Sequence, residues 1–132
     1  MAVFVDTSAL YAVLDRDDHC HPAAAETFAA LLDDAELVTH TYVVVETTAL
    51  VQRRLGMDAV RALTDDVLPA LELVAVDESL HATAVSALLA AGSREISLVD
   101  WTSFELMRRL SISEAFAFDA DFRDQGFALL PS

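Results

Sequence analysis

The sequence predicts an α/β fold, a three-layer α/β/α sandwich around a mainly parallel central sheet of four or five short strands. Three observations carry this expectation. Short apolar runs rich in β-branched residues alternate with longer segments of helical periodicity. No internal repeat and no Pro/Gly/Ser-rich linker interrupts that alternation, so residues 1–132 read as one domain. The chain is 55% hydrophobic, enough for a full core and too apolar for a disordered segment.

The elements follow in order. Val3–Val5 reads as a buried strand. Thr7 or Ser8 can cap a helix over Ala9–Leu14, and "DRDDHCH" is a polar loop. Pro22 stands at the start of a second helix, "AAAETFAALLDD". "AELVTH" reads as a second strand. "TYVVVETTALVQRRL" has strand-like β-branching. Its length, Thr41 as a cap, Arg53 and Arg54 in the last turn and Gly56 as a stop favour a helix. Met57–Leu68 is a further helix ending near Pro69, and "LELVAV" a third strand. "ESLHATAVSALLAAG" is a helix closing at Gly92. "SLVDWTSFELMRRL" is another with Ser97 as cap. "AFAF" is a fourth strand and "GFALL" a candidate fifth.

In parallel sheets covered by helices, ligands gather at the carboxyl ends of the strands. Asp6 follows the first strand and Asp119 follows "AFAF". Asp100 lies three residues after the cap Ser97, near backbone N–H groups that favour anions. Glu46 lies on the third helical segment, and Asp121 is a fifth candidate acid. Each has a plain structural reading as well. Asp6 can cap the helix behind it, and Glu46 can be a solvated helix residue. Ser97 and Asp100 fit a capping box, and "DAD" can be a surface turn. Several carboxylates on one rim repel: two charges about 4 Å apart cost roughly 4 kcal/mol at an effective dielectric near 20. Bound cations relieve that repulsion, and hard oxygen ligands suit Mg²⁺ or Mn²⁺.

The charge restricts the choices further. Eight basic residues against twenty-two acidic ones give a net charge of −14, and every basic residue is arginine. Such acidity argues against broad, non-specific nucleic-acid binding and requires a local arginine patch or bridging metal ions. The absence of lysine removes phospho-receiver domains, haloacid-dehalogenase-like phosphatases and P-loop proteins, all of which need one. Cys20 is the only cysteine, the N-terminus lacks a signal-peptide pattern, and no apolar run approaches membrane-spanning length, which together predict a cytoplasmic protein. "HCH", His19–His21, offers metal-binding types without a fourth partner and reads as a plain loop. His40 and His81 stand isolated. The pairs Arg53–Arg54 and Arg108–Arg109 complement helix dipoles by default and offer phosphate contacts otherwise.

"VFVDTSAL", "VVVETTALVQRRLG" and "SLVDWTSFELMRRLSISEAFAFDADFRDQGF" together resemble the PIN-domain ribonucleases, especially the VapC-type toxins of toxin–antitoxin pairs. The resemblance runs over nearly the whole chain, in order. It implies a PIN-like fold and a Mg²⁺- or Mn²⁺-dependent endoribonuclease acting on RNA. It implies Asp6, Glu46, Asp100 and Asp119 as metal-site acids, with Asp6 and Asp100 as main ligands. Ser8 and Ser97 would be polar helpers and Asp121 a peripheral acid. Trp101 stands where similar sequences often carry a smaller residue. The resemblance also implies a homodimer and a small antitoxin protein as partner, for which Phe28, Tyr42 and Trp101 are candidate surface anchors. A PIN-like module that binds RNA or a partner protein without cutting is the alternative, and the retention of all four acids argues against it.

Overall fold

A computed structural model describes residues 1–132. Its centre is a five-stranded, wholly parallel sheet in the order β3-β2-β1-β4-β5. The strands are β1 (Ala2–Val5), β2 (Glu36–His40), β3 (Glu72–Val74), β4 (Glu114–Phe116) and β5 (Ala128–Leu130). The helices are α1 (Thr7–Leu14), α2 (His21–Asp34), α3 (Thr41–Leu55), α4 (Met57–Ala62), α5 (Glu78–Ala91), α6 (Leu98–Arg109) and α7 (Asp121–Asp124).

β1 is the middle strand because it is apolar on consecutive residues. Val3, Phe4 and Val5 are fully buried although neighbouring side chains point to opposite faces, so both faces of the sheet are covered. The aromatic core on one side runs from Phe4 to Phe122 to Phe104, with the last two rings edge-to-face at 5.0 Å. The chain leaves β1 toward β2 and β3, then returns to build β4 and β5 on the other side. β1 and β4 are therefore adjacent strands that diverge in connection, which is where open α/β sheets hold ligands.

The ambiguous third helical segment is a helix over its full length, stopped by Gly56 at φ 91°. Other expectations change. α1 starts at Thr7, and its cap is Asp6 rather than Thr7 or Ser8, because the Asp6 carboxylate accepts the Ser8 N–H at 3.2 Å. α3 is capped by His40, not Thr41; the Thr41 hydroxyl instead accepts the Val76 N–H at 3.1 Å. That bond ends the third strand early: β3 covers only Glu72–Val74 of the expected "LELVAV", on an edge where Leu73 stays exposed. The helix expected over Met57–Leu68 is α-helical only to Ala62. A π-helical turn over Leu63–Val67 and a 3₁₀ turn over Leu68–Ala70 follow, and the Leu68 N–H reaches the Leu63 carbonyl. Pro69 disfavours α geometry at the residue before it and withholds an N–H, which accounts for the break. β4 stops at Phe116, two residues earlier than "AFAF" suggested, and β5 covers the last three residues of "GFALL". Phe28 and Trp101 pack half-buried against the core instead of standing out as anchors. The Tyr42 hydroxyl is engaged with the His81 ring at 2.6 Å, so neither residue is isolated.

Candidate active site

Asp6 sits where β1 becomes α1 and is only 4% exposed. Its backbone N–H extends the β1–β4 ladder by donating to the Phe116 carbonyl at 3.0 Å. Its carboxylate accepts from the Ser8 hydroxyl at 2.7 Å as well as from the Ser8 backbone. The same hydroxyl accepts the Phe118 N–H at 2.9 Å. Ser8 thus ties the first acid to the segment that carries Asp119.

Asp100 lies in the first turn of α6, where the Ser97 hydroxyl accepts its N–H at 3.2 Å. Asp119 accepts the Asp121 N–H at 2.9 Å, a local turn that starts α7. Ligand oxygens of Asp100, Asp119 and Asp121 lie within 4.8 Å of one another. The structure therefore brings Asp121 into the group, although the sequence reading set it at the periphery. Glu46 is exposed on α3, and its charge reaches Asp6. Of the polar helpers, Ser8 bonds an acid side chain directly, while Ser97 holds a backbone.

Electrostatics mark the same cluster. Burial pushes the Asp6 carboxyl up to about 6 against the restraint of its Ser8 hydrogen bonds, with the charges of Asp119 and Glu46 adding to the rise. Burial also lifts Asp100 to about 7, reinforced by Asp6 and Asp119 and opposed by Ser97. Asp121 is raised by burial first and by Asp119 next. Carboxyl groups held above their usual range by burial and by one another form a site that gains from a bound cation. Three hard oxygen donors within 4.8 Å suit a divalent ion of the Mg²⁺ or Mn²⁺ kind.

A set of buried hydroxyls that the sequence reading missed holds the acid-bearing elements in place. Thr39 donates to the Val5 carbonyl at 2.8 Å and Thr47 to Thr7 Oγ1 at 3.1 Å. The Ser103 hydroxyl donates to the Val99 carbonyl at 2.9 Å, so it accepts from His40 Nε2–H at 2.8 Å. His40 Nδ1 then accepts the Val43 N–H. One fully buried imidazole therefore joins the start of α3, which carries Glu46, to α6, which carries Asp100. Burial lowers the His40 pKa to about 4, so it works as a neutral hydrogen-bonding group at physiological pH. The signal was present in the sequence: a threonine follows Asp6 and another follows Glu46, and a serine lies one helical turn after Asp100. His40→Ala removes both bonds and leaves a void, and should cost about 3 kcal/mol in urea denaturation.

The remaining candidates lie apart. Donor atoms of Asp18, His19 and Cys20 approach within 4.8 Å, while the His21 ring bonds the Ala12 carbonyl at 2.8 Å. Arg108 stacks over Phe127 and bonds Gln125; Arg109 pairs with Glu105. Arg53 and Arg54 border grooves beside the first turn of α1. The indole N–H of Trp101 is buried without a partner, and its ring packs edge-to-face on Phe104.

Both the sequence and the fold match known proteins. The PIN domain family model matches residues 3–128. The 23S rRNA-specific endonuclease VapC20 of Mycobacterium tuberculosis is 35% identical over 126 residues, covering 95% of each chain. The crystal structure of M. tuberculosis VapC20, described as a Sarcin-Ricin loop cleaving toxin, superposes with a TM-score of 0.87 at 33% identity over 96% of both chains. VapBC2 from Rickettsia felis shares the fold, with a TM-score of 0.73 at 12% identity, covering 98% of this chain and 97% of that one. The chain belongs to the PIN-domain family and, within it, to the VapC-type ribonucleases.

Proposed function

We propose that this ribonuclease uses a divalent ion, Mg²⁺ or Mn²⁺, held by Asp6, Asp100 and Asp119, with Asp121 beside them and Glu46 at the outer edge. The observation that carries the reading is the convergence of Asp100, Asp119 and Asp121 within 4.8 Å, next to a buried Asp6. A bound ion there would polarise the phosphodiester and lower the pKa of a water molecule. The protein's part is to fix the ligands. Ser8 holds the Asp6 carboxylate through two hydrogen bonds, and Ser97 anchors the turn that presents Asp100. The His40–Ser103 bond keeps α3 and α6 in register. Burial of Asp6 limits competing water around its carboxylate.

The substrate we assign is an exposed loop of 23S ribosomal RNA, supported by the specificity of the 35% identical relative. A homodimer and a small antitoxin protein are the assemblies we assign with it, supported by the kinship with a VapC toxin. The antitoxin would place an arginine in the acidic site, where its charge stands in for the metal. Purified chain should cut 23S rRNA at discrete positions with Mn²⁺, and EDTA should stop it, as mapped by primer extension. Mn²⁺ binding without any cut in RNA would favour a binding module instead. Light scattering that shows only monomer would remove the homodimer.

A further inference from the structure

α3 ends in two adjacent arginines that enter different grooves. Arg53 lines one of about 340 Å³ with Thr7, Glu46 and Leu50. Arg54 lines another of about 330 Å³ with Ser8, Tyr11, Leu50 and Phe118. Leu50 borders both, and Thr7 and Ser8 are the two residues after Asp6. The grooves therefore meet beside the first acid of the site; the first sets Arg53 against Glu46, and the second carries Arg54 and Asp18 with the buried Tyr11 and the half-buried Phe118.

Neither arginine is held in an ion pair. The ion pairs of the molecule are His19–Asp18, Arg61–Asp58 and Arg109–Glu105. The Arg54 guanidinium lies over the Tyr11 ring, 5.5 Å from its centroid. The Tyr11 hydroxyl donates to Asp15 at 2.6 Å, so the ring under Arg54 is braced. Phe118 is fixed from the other side, because its N–H bonds the Ser8 hydroxyl. Complementing the helix dipole requires only that the arginines sit in the last turn. It does not require that both face grooves next to the acid site, or that one is seated on an aromatic ring.

A chain with a net charge of −14 repels a polyanion, so productive RNA binding needs cations close to the reaction centre. Single-stranded nucleic acid is held by such cations together with aromatic faces on which bases stack. We propose that the two grooves form a substrate track. Arg53 takes a backbone phosphate on one side of the cut, and Arg54, seated on the buried Tyr11 ring, takes the flanking nucleotide on the other together with the half-buried Phe118. The track selects unpaired RNA, because a base must leave its stack to enter the second groove, which a duplex resists. The inference rests on the ribonuclease reading given above.

Steady-state cleavage of a fluorogenic single-stranded oligoribonucleotide in Mn²⁺ tests it, with Arg53→Gln, Arg54→Gln and the control Arg61→Gln. Each groove variant should raise KM about tenfold, leave kcat within about twofold, and lower the salt slope of binding by about one. The thermal shift on adding Mn²⁺ should stay at the wild-type value in all three, since no metal ligand is touched. Arg61→Gln should behave as wild type throughout. Wild-type KM and salt slope in both groove variants would overturn the track and leave the ribonuclease reading standing. Cleavage of the corresponding duplex with equal KM would overturn the selection for unpaired RNA. No cleavage of either the oligoribonucleotide or 23S rRNA by the wild type, despite a Mn²⁺ shift, would remove the ribonuclease reading and the track together.

Discussion

Asp6→Asn and Asp100→Asn should each lower RNA cleavage at least ~100-fold, with little change in far-UV circular dichroism. The size follows from position. Removing a group that only supports a metal ligand costs roughly 10- to 100-fold, and these carboxylates are proposed as ligands themselves. Retention of the fold follows from chemistry. Asparagine caps helices as well as aspartate does, so α1 keeps its Ser8 N–H acceptor in Asp6→Asn. Asp6→Ala is the informative contrast, because it removes the charge and the cap together and should cost about 1 kcal/mol of stability besides the activity. Glu46→Gln should have a smaller effect than either, since Glu46 is exposed and acts on Asp6 from α3. Full activity in both Asn variants would show that these carboxylates do not serve the reaction.

The second large effect is on stability, and its sign changes with metal. Without metal, Asp6 and Asp100 have folded pKa values of about 6 and about 7 against an ordinary 3.8. Between those limits the folded state binds more protons than the unfolded one, so stability falls as pH rises. The contribution of each group is complete below pH 3.8 and lost once pH has passed 6 for Asp6 and 7 for Asp100. For the buried Asp6 the loss is of order 3 kcal/mol. His40 acts in the opposite direction. Its folded pKa of about 4 lies below the ordinary 6.5, so its contribution is complete above 6.5 and fades as pH falls through 4. The difference between wild type and Asp6→Asn isolates the acid, because both proteins keep His40. In EDTA at pH 8, Asp6→Asn should therefore melt at or above the wild-type temperature, and the gap should narrow as pH falls through 6 and close only near pH 4. Adding Mn²⁺ at a hundred times its dissociation constant should stabilise the wild type by about 2.7 kcal/mol. The variant should respond much less, and Asp33→Asn should keep the full response. Metal affinity should weaken below pH 7, where protons compete for the carboxylates. A less stable Asp6→Asn protein in EDTA at pH 8 would mean that the Asp6 charge stabilises the metal-free fold through its Ser8 hydrogen bonds, so that it is not a repelled ligand.

Much of the fold was legible because its signals are local. The order of strands and helices follows from apolar runs, helical periodicity, Gly56 and Gly92 as stops and Ser97 as a cap. The errors occurred where a side chain from elsewhere competed. Thr41 looked like the cap of α3 on propensity, but His40 had its Nδ1 free to accept and Thr41 was claimed by the Val76 N–H. Asp6 was weighed as either cap or functional acid; it caps α1 and also lies buried near the charges of Asp119 and Glu46. The turn at "DAD" became a short helix, started by an Asp119 hydrogen bond that composition does not reveal.

The sequence by itself determined the alternation that gives a parallel sheet, the helix stops, the excess of acid and the ordered motifs that mark the family. Each is a property of neighbouring residues or of simple totals. The tertiary structure alone decided which carboxylates meet. It drew Asp121 into a trio with Asp100 and Asp119 and left Glu46 exposed. It raised Asp6 and Asp100 through burial, and it made His40 a neutral tie between two helices. Those outcomes depend on distances between residues far apart in the chain and on the water excluded around them. Neither quantity exists until β1 and β4 lie side by side and α6 packs against them.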